Sequence, residues 1–299
     1  MPEFPDVTIY IEALEARVRG QKLERIRIAS PFLIRSVEPP IFEAEKKTVL
    51  GLRRLGKRIV FELEGGLFLI LHLMIAGRMR WQEEKGAKIP AKLGLAAFDF
   101  PNGTLLLTEA SSKKRASLHL VRGSELLARH DPGGLEVFAC SEREFSEALR
   151  RENRMLKRAL ADPKLFSGIG NAYSDEILHA AKLSPVTLTG KLTDAEIARL
   201  FKAVKATLIH WTDELRREFA GRFPGAGEIT AFRPGFAMHG RFGQPCPVCK
   251  TSVQRIRYAE NETNYCPRCQ TKGKLLADRS LSRLLKNDWP KTIEEWEEE

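Results

Sequence analysis

Four of the five cysteines stand as two CxxC pairs, Cys246-Pro247-Val248-Cys249 and Cys266-Pro267-Arg268-Cys269, separated by sixteen residues. Each pair offers two sulfurs from one tight turn, and four thiolates at this spacing close on one tetrahedral Zn²⁺. A pair of disulfides is the competing reading. It suits a secreted chain, and nothing in this sequence marks it for export. Between the pairs, Ser252 to Tyr258 alternates as a strand should, and Asn261 and Thr263 lie near a turn that leads back through Tyr265. The expectation is a zinc ribbon with basic exposed positions. A module of this size depends on its metal for folding and grips a partner rather than transforming one. Cys140 reads as an ordinary reduced thiol.

A second stretch with chemical potential is Phe166-Ser167-Gly168-Ile169-Gly170-Asn171. Two glycines allow a tight turn, and Asn171 then opens a helix whose free N–H groups suit a phosphate. A plain glycine turn with an asparagine cap accounts for the same residues.

The elements that must hold these stretches follow from length and pattern. The chain has 299 residues, 43% of them hydrophobic, enough for two or three domains with their own cores. Its formal net charge is +10, and the last nine residues hold one Lys and five Glu, so residues 1–290 carry +14. A body that basic favours a polyanionic partner. No apolar run is long enough to cross a bilayer, and no signal peptide is evident, so a cytoplasmic, nucleoid-associated monomer without membrane contact is expected.

Apolar residues at Val7, Ile11, Leu14 and Val18 form a helical stripe that stops at Gly20. Short strands follow at Leu23–Ile28, Val49–Leu52, Arg58–Leu63, Leu67–Leu73, Leu95–Phe100 and Thr104–Thr108, with Gly65-Gly66 and Pro101-Asn102-Gly103 as turns. They imply a β-sandwich with the first helix packed on it. Then the pattern becomes helical. Ser141 with Glu144 caps a helix to Arg151, a second runs from about Asn153 to Asp162, and a third starts near Asn171. Thr193 with Glu196 caps a fourth that reaches Phe219. The Gly221–Gly235 segment is too long for a simple connector. The fold class is α+β multidomain: an N-terminal β-sandwich with a terminal helix over 1–132, a helical domain over 133–238, a zinc ribbon over 239–290 and an acidic tail over 291–299.

Three motifs together resemble the formamidopyrimidine-DNA glycosylase and endonuclease VIII family. They are Pro2-Glu3 at the start, the run Leu156-Lys157, Leu160, Asp162, Gly168-Ile169-Gly170-Asn171, Tyr173, Asp175-Glu176, and the four-cysteine ribbon. The likeness runs in register to about Trp289, and Phe4-Pro5-Asp6 places it closer to the formamidopyrimidine branch. It implies a helix–two-turn–helix domain and double-stranded DNA with damaged bases or abasic sites, bound in the cleft between two lobes. The implied enzyme is a bifunctional glycosylase and abasic-site lyase of base-excision repair. It removes oxidised bases, such as 8-oxoguanine or formamidopyrimidines, through a Schiff base on Pro2 followed by β- or β,δ-elimination.

The chemistry explains the amino terminus. Once Met1 is removed, Pro2 presents a secondary amine with a pKa of roughly 8, close enough to neutrality to act as a nucleophile. Glu3 is implied as the proton shuttle at the sugar, and Lys57 as a catalytic lysine that contacts phosphate and assists elimination. Lys157 and Asn171 match DNA-binding positions, and His72 reads as a hydrogen-bonded structural histidine. A base that leaves the stack leaves a hole to fill. The family has Gly-Met after its His-Leu, whereas this chain reads His72-Leu73-Met74-Ile75-Ala76-Gly77, so Met74 and Ile75 are both candidate wedges. The family's acidic-Pro-Arg-Arg-Phe-Gly loop is replaced by Glu109-Ala110-Ser111-Ser112-Lys113-Lys114-Arg115-Ala116, with no phenylalanine and with Lys113, Lys114 and Arg115 as candidate DNA contacts. On the ribbon, Asn261 stands at the family's arginine position. These departures sustain an alternative, a zinc-dependent protein that binds damaged DNA on the same scaffold without cutting it.

Overall fold

The computed structural model describes residues 1–258, 261–277, 284 and 290–297. Ala259 and Glu260 beside Asn261, Trp289, and the last two glutamates of the acidic tail lie outside the described residues. The chain divides into two compact units, 1–132 with 211–231 and 133–210 with 232–299. The segment 211–231 therefore groups with the first unit, and the ribbon groups with the helices that precede it.

In the first unit, α1 (Phe4–Val18) lays Val7, Tyr10, Leu14 and Val18 into the core, each fully buried. Eight strands follow: β1 (Arg25–Ile28), β2 (Val49–Leu55), β3 (Arg58–Leu63), β4 (Leu67–His72), β5 (Gly77–Gln82), β6 (Gly94–Phe100), β7 (Gly103–Glu109) and β8 (Ser117–Arg122). They form two antiparallel four-stranded sheets of order β1-β6-β7-β5 and β2-β3-β4-β8. Alternation decides which side chains enter the sandwich. Ile59, Phe61 and Leu63 of β3 share the core with Leu67, Leu69 and Leu71 of β4 and with Leu118 and Leu120 of β8. Leu215, Phe219 and Ile229 join the same core. Beyond the six strands expected, β5 and β8 are present, and both carry a period-2 signal: Met79 and Trp81 against Arg78 and Arg80, and Leu118 and Leu120 against His119.

In the second unit, α3 (Glu142–Arg150) starts at Ser141, whose hydroxyl accepts from the Glu144 N–H in the expected capping box. It follows the short α2 (Ser124–Ala128) of the first unit. The second expected helix is shorter than the pattern suggested. As α4 it spans only Leu156–Ala161, because Met155 is extended and pairs with Leu188. A turn containing Gly168 at φ +80° leads to α5 (Asn171–Ala180), and α6 (Asp194–Phe219) follows. The ribbon strands β9 (Gln254–Tyr258) and β10 (Asn261–Tyr265) pair antiparallel, ahead of α7 (Pro267–Thr271). Thr263 sits mid-strand opposite Ile256, and Asn261 opposite Tyr258 begins the returning strand.

The turn from β4 to β5 is tight. The Gly77 N–H bonds the Leu73 carbonyl at 2.9 Å, and a Cβ on Gly77 would lie 2.2 Å from that oxygen. Met74 takes φ +53°, a left-handed conformation that costs a non-glycine residue about 1 kcal/mol. Met74→Gly is therefore expected to leave stability unchanged or raise it by up to about 1 kcal/mol in urea titrations. A loss of more than that would show that the Met74 side chain contributes packing that outweighs the strain.

Candidate functional site

At the amino terminus, Glu3 is extended and precedes α1, and its N–H donates to Asp6 Oδ2 at 2.9 Å. Pro2, Glu3 and Asp6 are all buried. Burial pulls the pKa of the chain's amino group below its ordinary value of 8.0. Arg78 and Lys57 push in the same direction, while Glu3 and Asp6 oppose them. Lys57 follows Gly56, which turns the chain between β2 and β3 at φ +61°. Only 9% exposed, Lys57 has its ammonium pKa lowered by burial, with the Glu3 charge working against the shift. Lys57, far along the chain, thus shares one electrostatic neighbourhood with the amino terminus and Glu3. Burial and the two cations lower the pKa of the amine, and a carboxylate stands beside it.

His72 ends β4 opposite Arg58. Burial, followed by Arg58, Lys57 and His119, brings its pKa down to about 4, so the ring is neutral at pH 7. In the turn that follows, Ile75 is 53% exposed whereas Met74 is half-buried. Of the two candidate wedges, Ile75 presents more apolar surface. The 109–116 loop is organised by Glu109, which is buried and accepts from the N–H groups of Arg115 (2.9 Å) and Ala116 (3.1 Å). Lys114 donates to the Glu109 carbonyl, while Lys113 and Arg115 are exposed.

Helix α5 organises the second unit. Lys157 is buried and pairs with Asp175 (Nζ to Oδ1, 2.6 Å) and with the Asn171 carbonyl. The other Asp175 oxygen lies 2.8 Å from His239 Nδ1. Sequence reasoning missed His239, for a lone histidine before a ribbon carries no signal of its partner. Glu176 accepts three backbone N–H groups, from Ala237 (2.7 Å), Met238 (2.8 Å) and His239 (2.8 Å). Burial still pushes its pKa up, with those three bonds opposing. Asn171 Nδ2 donates to the Glu262 carbonyl at 3.0 Å, which joins the helix N-terminus to β10 and places Asn171 next to exposed Asn261. Glu262 is neighboured by Arg255 (3.4 Å) and Arg257 (3.5 Å).

The sulfur atoms of Cys246, Cys249, Cys266 and Cys269 all lie within 4.8 Å of one another. Tetrahedral Zn–S bonds of about 2.3 Å separate sulfurs by roughly 3.8 Å, so the set fits one zinc ion. Burial raises the thiol pKa of Cys266, and that of Cys269 to about 11, whereas at Cys249 burial is outweighed by hydrogen bonds to Thr251 and the neighbouring thiols, which bring it down to about 6. A bound cation favours the ionised form of such thiols. His179 Nε2, on α5, lies 3.3 Å from Cys246 Sγ and can orient that ligand. These residues form one structural zinc site. Purified protein is expected to carry one zinc per chain, and Cys266→Ser or chelation should release it and expose the ribbon to protease while the β-sandwich stays folded. A metal-free protein with an intact, protected ribbon would contradict this.

No helix among the described residues is long and apolar enough to cross a membrane. Three family models match the chain: the formamidopyrimidine-DNA glycosylase N-terminal domain over residues 1–119, its H2TH domain over 134–212, and the zinc finger found in FPG and IleRS over 243–272. An uncharacterised formamidopyrimidine-DNA glycosylase-like protein of Mycobacterium tuberculosis is 42% identical over 156 residues, covering 52% of this chain and 93% of that protein. The formamidopyrimidine-DNA glycosylase of Pelotomaculum thermopropionicum is 31% identical over 277 residues, covering 90% of this chain and 99% of that one. Among solved structures, the Lactococcus lactis Fpg in complex with DNA containing an abasic site superposes with a TM-score of 0.78 at 26% identity, covering 90% of this chain and 99% of that one. With three matching domains in order and a full-length relative above 30% identity, the chain belongs to the formamidopyrimidine-DNA glycosylase family of DNA repair.

Proposed function

We propose that this protein is a bifunctional DNA glycosylase and abasic-site lyase that removes oxidised bases, oxidised purines among them, through a covalent intermediate on Pro2. The observation that carries the reading is that Glu3 and Lys57, both buried, act on the amino group of Met1, next to buried Pro2, and that burial lowers the pKa of that amino group. After Met1 is removed, the Pro2 amine occupies the start of the same neighbourhood. Its lone pair attacks C1′, the C1′–N bond to the base breaks, and the departing base takes the proton that the amine gives up. Protonated Glu3 delivers its own proton to the ring oxygen as the C1′–O4′ bond breaks, leaving an iminium between Pro2 and C1′ and Glu3 as the carboxylate. Loss of a C2′ proton then expels the 3′ phosphate, with the Lys57 charge placed to favour the departing oxyanion. Neutral His72 can hydrogen-bond but adds no charge there.

Lys113, Arg115, Asn171 and Asn261 are proposed contacts to the DNA backbone, with Met74 and Ile75 at the point of intercalation. Lys157 is proposed to act on DNA indirectly. Its ammonium is spent on Asp175 and the Asn171 carbonyl, so it sets the position of Asn171. The changed 109–116 loop and Asn261 favour a second reading, damage binding without cleavage, in which Pro2 is idle.

Borohydride trapping on duplexes carrying 8-oxoguanine, an oxidised pyrimidine or an abasic site separates the two. Trapping is expected on the abasic duplex and at least one damaged duplex, and one uncleaved residue before Pro2 should abolish it while binding survives. Trapping should rise with pH to a half-point below about 8, the ordinary value for such an amine. Robust trapping by the extended protein would end the Pro2 assignment. For the ribbon, Asn261→Arg adds one ionic phosphate contact, so log K against log [salt] should steepen by about 0.9. Superimposable salt titrations would mean that this hairpin does not touch the backbone.

A further inference from the structure

We propose that Arg78 is the positioning residue that ties the Leu73–Gly77 turn to the 221–231 segment, so that Ile75 is presented to the duplex as a preset wedge. The inference rests on the glycosylase reading. Arg78 leaves β5 one residue after the turn, and its guanidinium divides three ways. Nη1 donates to the Ile75 carbonyl at 3.1 Å and to the Gly77 carbonyl at 2.7 Å, while Nε donates to the Ile229 carbonyl at 2.6 Å. One planar group thereby fixes the carbonyl of the exposed residue of the turn, the carbonyl of Gly77 that ends the turn, and a backbone atom 151 positions away.

The far anchor is itself rigidly held. Ile229 is 1% exposed within the sandwich core. Just before it, Glu228 makes a bidentate pair with Arg222 at 2.6 and 2.8 Å, and Phe223 packs on Tyr10 of α1 with ring centroids 5.8 Å apart. The turn needs such support. Met74 sits in the left-handed region, and strain of this kind persists only where the surroundings over-determine it. An apolar wedge exposed to 53% does work on DNA only if its backbone does not yield when the side chain is pushed between bases. A lysine would keep the charge at position 78, but an ammonium cannot reproduce the planar fork that reaches the three carbonyls.

The same guanidinium also helps lower the pKa of the amino group, which faces Glu3 and Asp6 of α1 and Lys57 of the β2–β3 turn besides Arg78. Positioning and charge therefore have to be separated, and Arg78→Lys and Arg78→Gln do so. Single-turnover cleavage is measured on the damaged duplex that wild type cuts fastest and on the same duplex with a preformed abasic site. A 2-aminopurine beside the lesion reports unstacking. Both variants should lose about tenfold or more on the damaged duplex, together with the 2-aminopurine signal, since each removes charge-assisted bonds that hold the wedge. On the abasic duplex, where no base resists eversion, Arg78→Lys should stay within about threefold of wild type. Full activity of Arg78→Lys on the damaged duplex would overturn the proposal, as would equal losses on both duplexes. A wild-type protein that cleaves neither duplex would overturn the glycosylase reading itself, and the proposal with it.

Discussion

Lowering the pKa of a chain-end amine takes desolvation and nearby cations, and burying a chain end requires an element that can hold it there. In this molecule that element is α1. Asp6, in its first turn, takes the Glu3 N–H, and Val7, Tyr10 and Leu14 commit the helix to the sandwich core. The residues before it are thereby denied the freedom a terminus usually has. Two sheets then bring up the charges: Lys57 from the turn before β3 and Arg78 from the start of β5. Desolvation and these cations outweigh Glu3 and Asp6 in setting the direction of the shift.

The second unit solves a different problem with one helix. Asn171, Asp175, Glu176 and His179 lie at intervals of four, one and three along α5, and each engages a separate segment: β10, Lys157 with His239, the backbone at 237–239, and the zinc ligand Cys246. Burying two adjacent carboxylates on a helix is costly unless their oxygens are filled. Three backbone donors serve Glu176, and a lysine and a histidine serve Asp175. The ribbon, too small for a core of its own, takes its placement from this helix and its integrity from the metal.

Much of this was legible in the sequence because its signals are local. The CxxC pairs fix a ligand set by spacing alone, and the capping boxes at Ser141 and Thr193 mark helix starts that the structure reproduces at Glu142 and Asp194. Strands β5 and β8 carried an alternation that went unused, since Arg78 and Arg80 disguise one and His119 the other. The α4 helix fell short of its pattern because pairing between Met155 and Leu188 competes for its first residues. What could not be read was pairing at long range. His239 with Asp175, Arg78 with Ile229 and Glu109 with its own loop are matters of tertiary geometry, and each partner alone is an unremarkable polar residue.

The family loop that opens with an acidic residue shows how such geometry separates frame from contact. Glu109 keeps the acid, and its carboxylate closes the loop by accepting from Arg115 and Ala116, so an acid at this position is needed to give the loop any shape. Of the residues between it and Arg115, Lys114 ties back to the Glu109 carbonyl and Lys113 is exposed. Here they supply cations in place of an aromatic wedge. The same logic holds at Met74. A left-handed position built for glycine accepts a methionine because the turn around it is closed by the Gly77 N–H and strapped by Arg78, so the strain stays local. At both places the residues that hold the frame differ from those offered to solvent: Glu109 closes its loop while Lys113 and Arg115 stand exposed, and Arg78 holds the turn while Ile75 stands exposed.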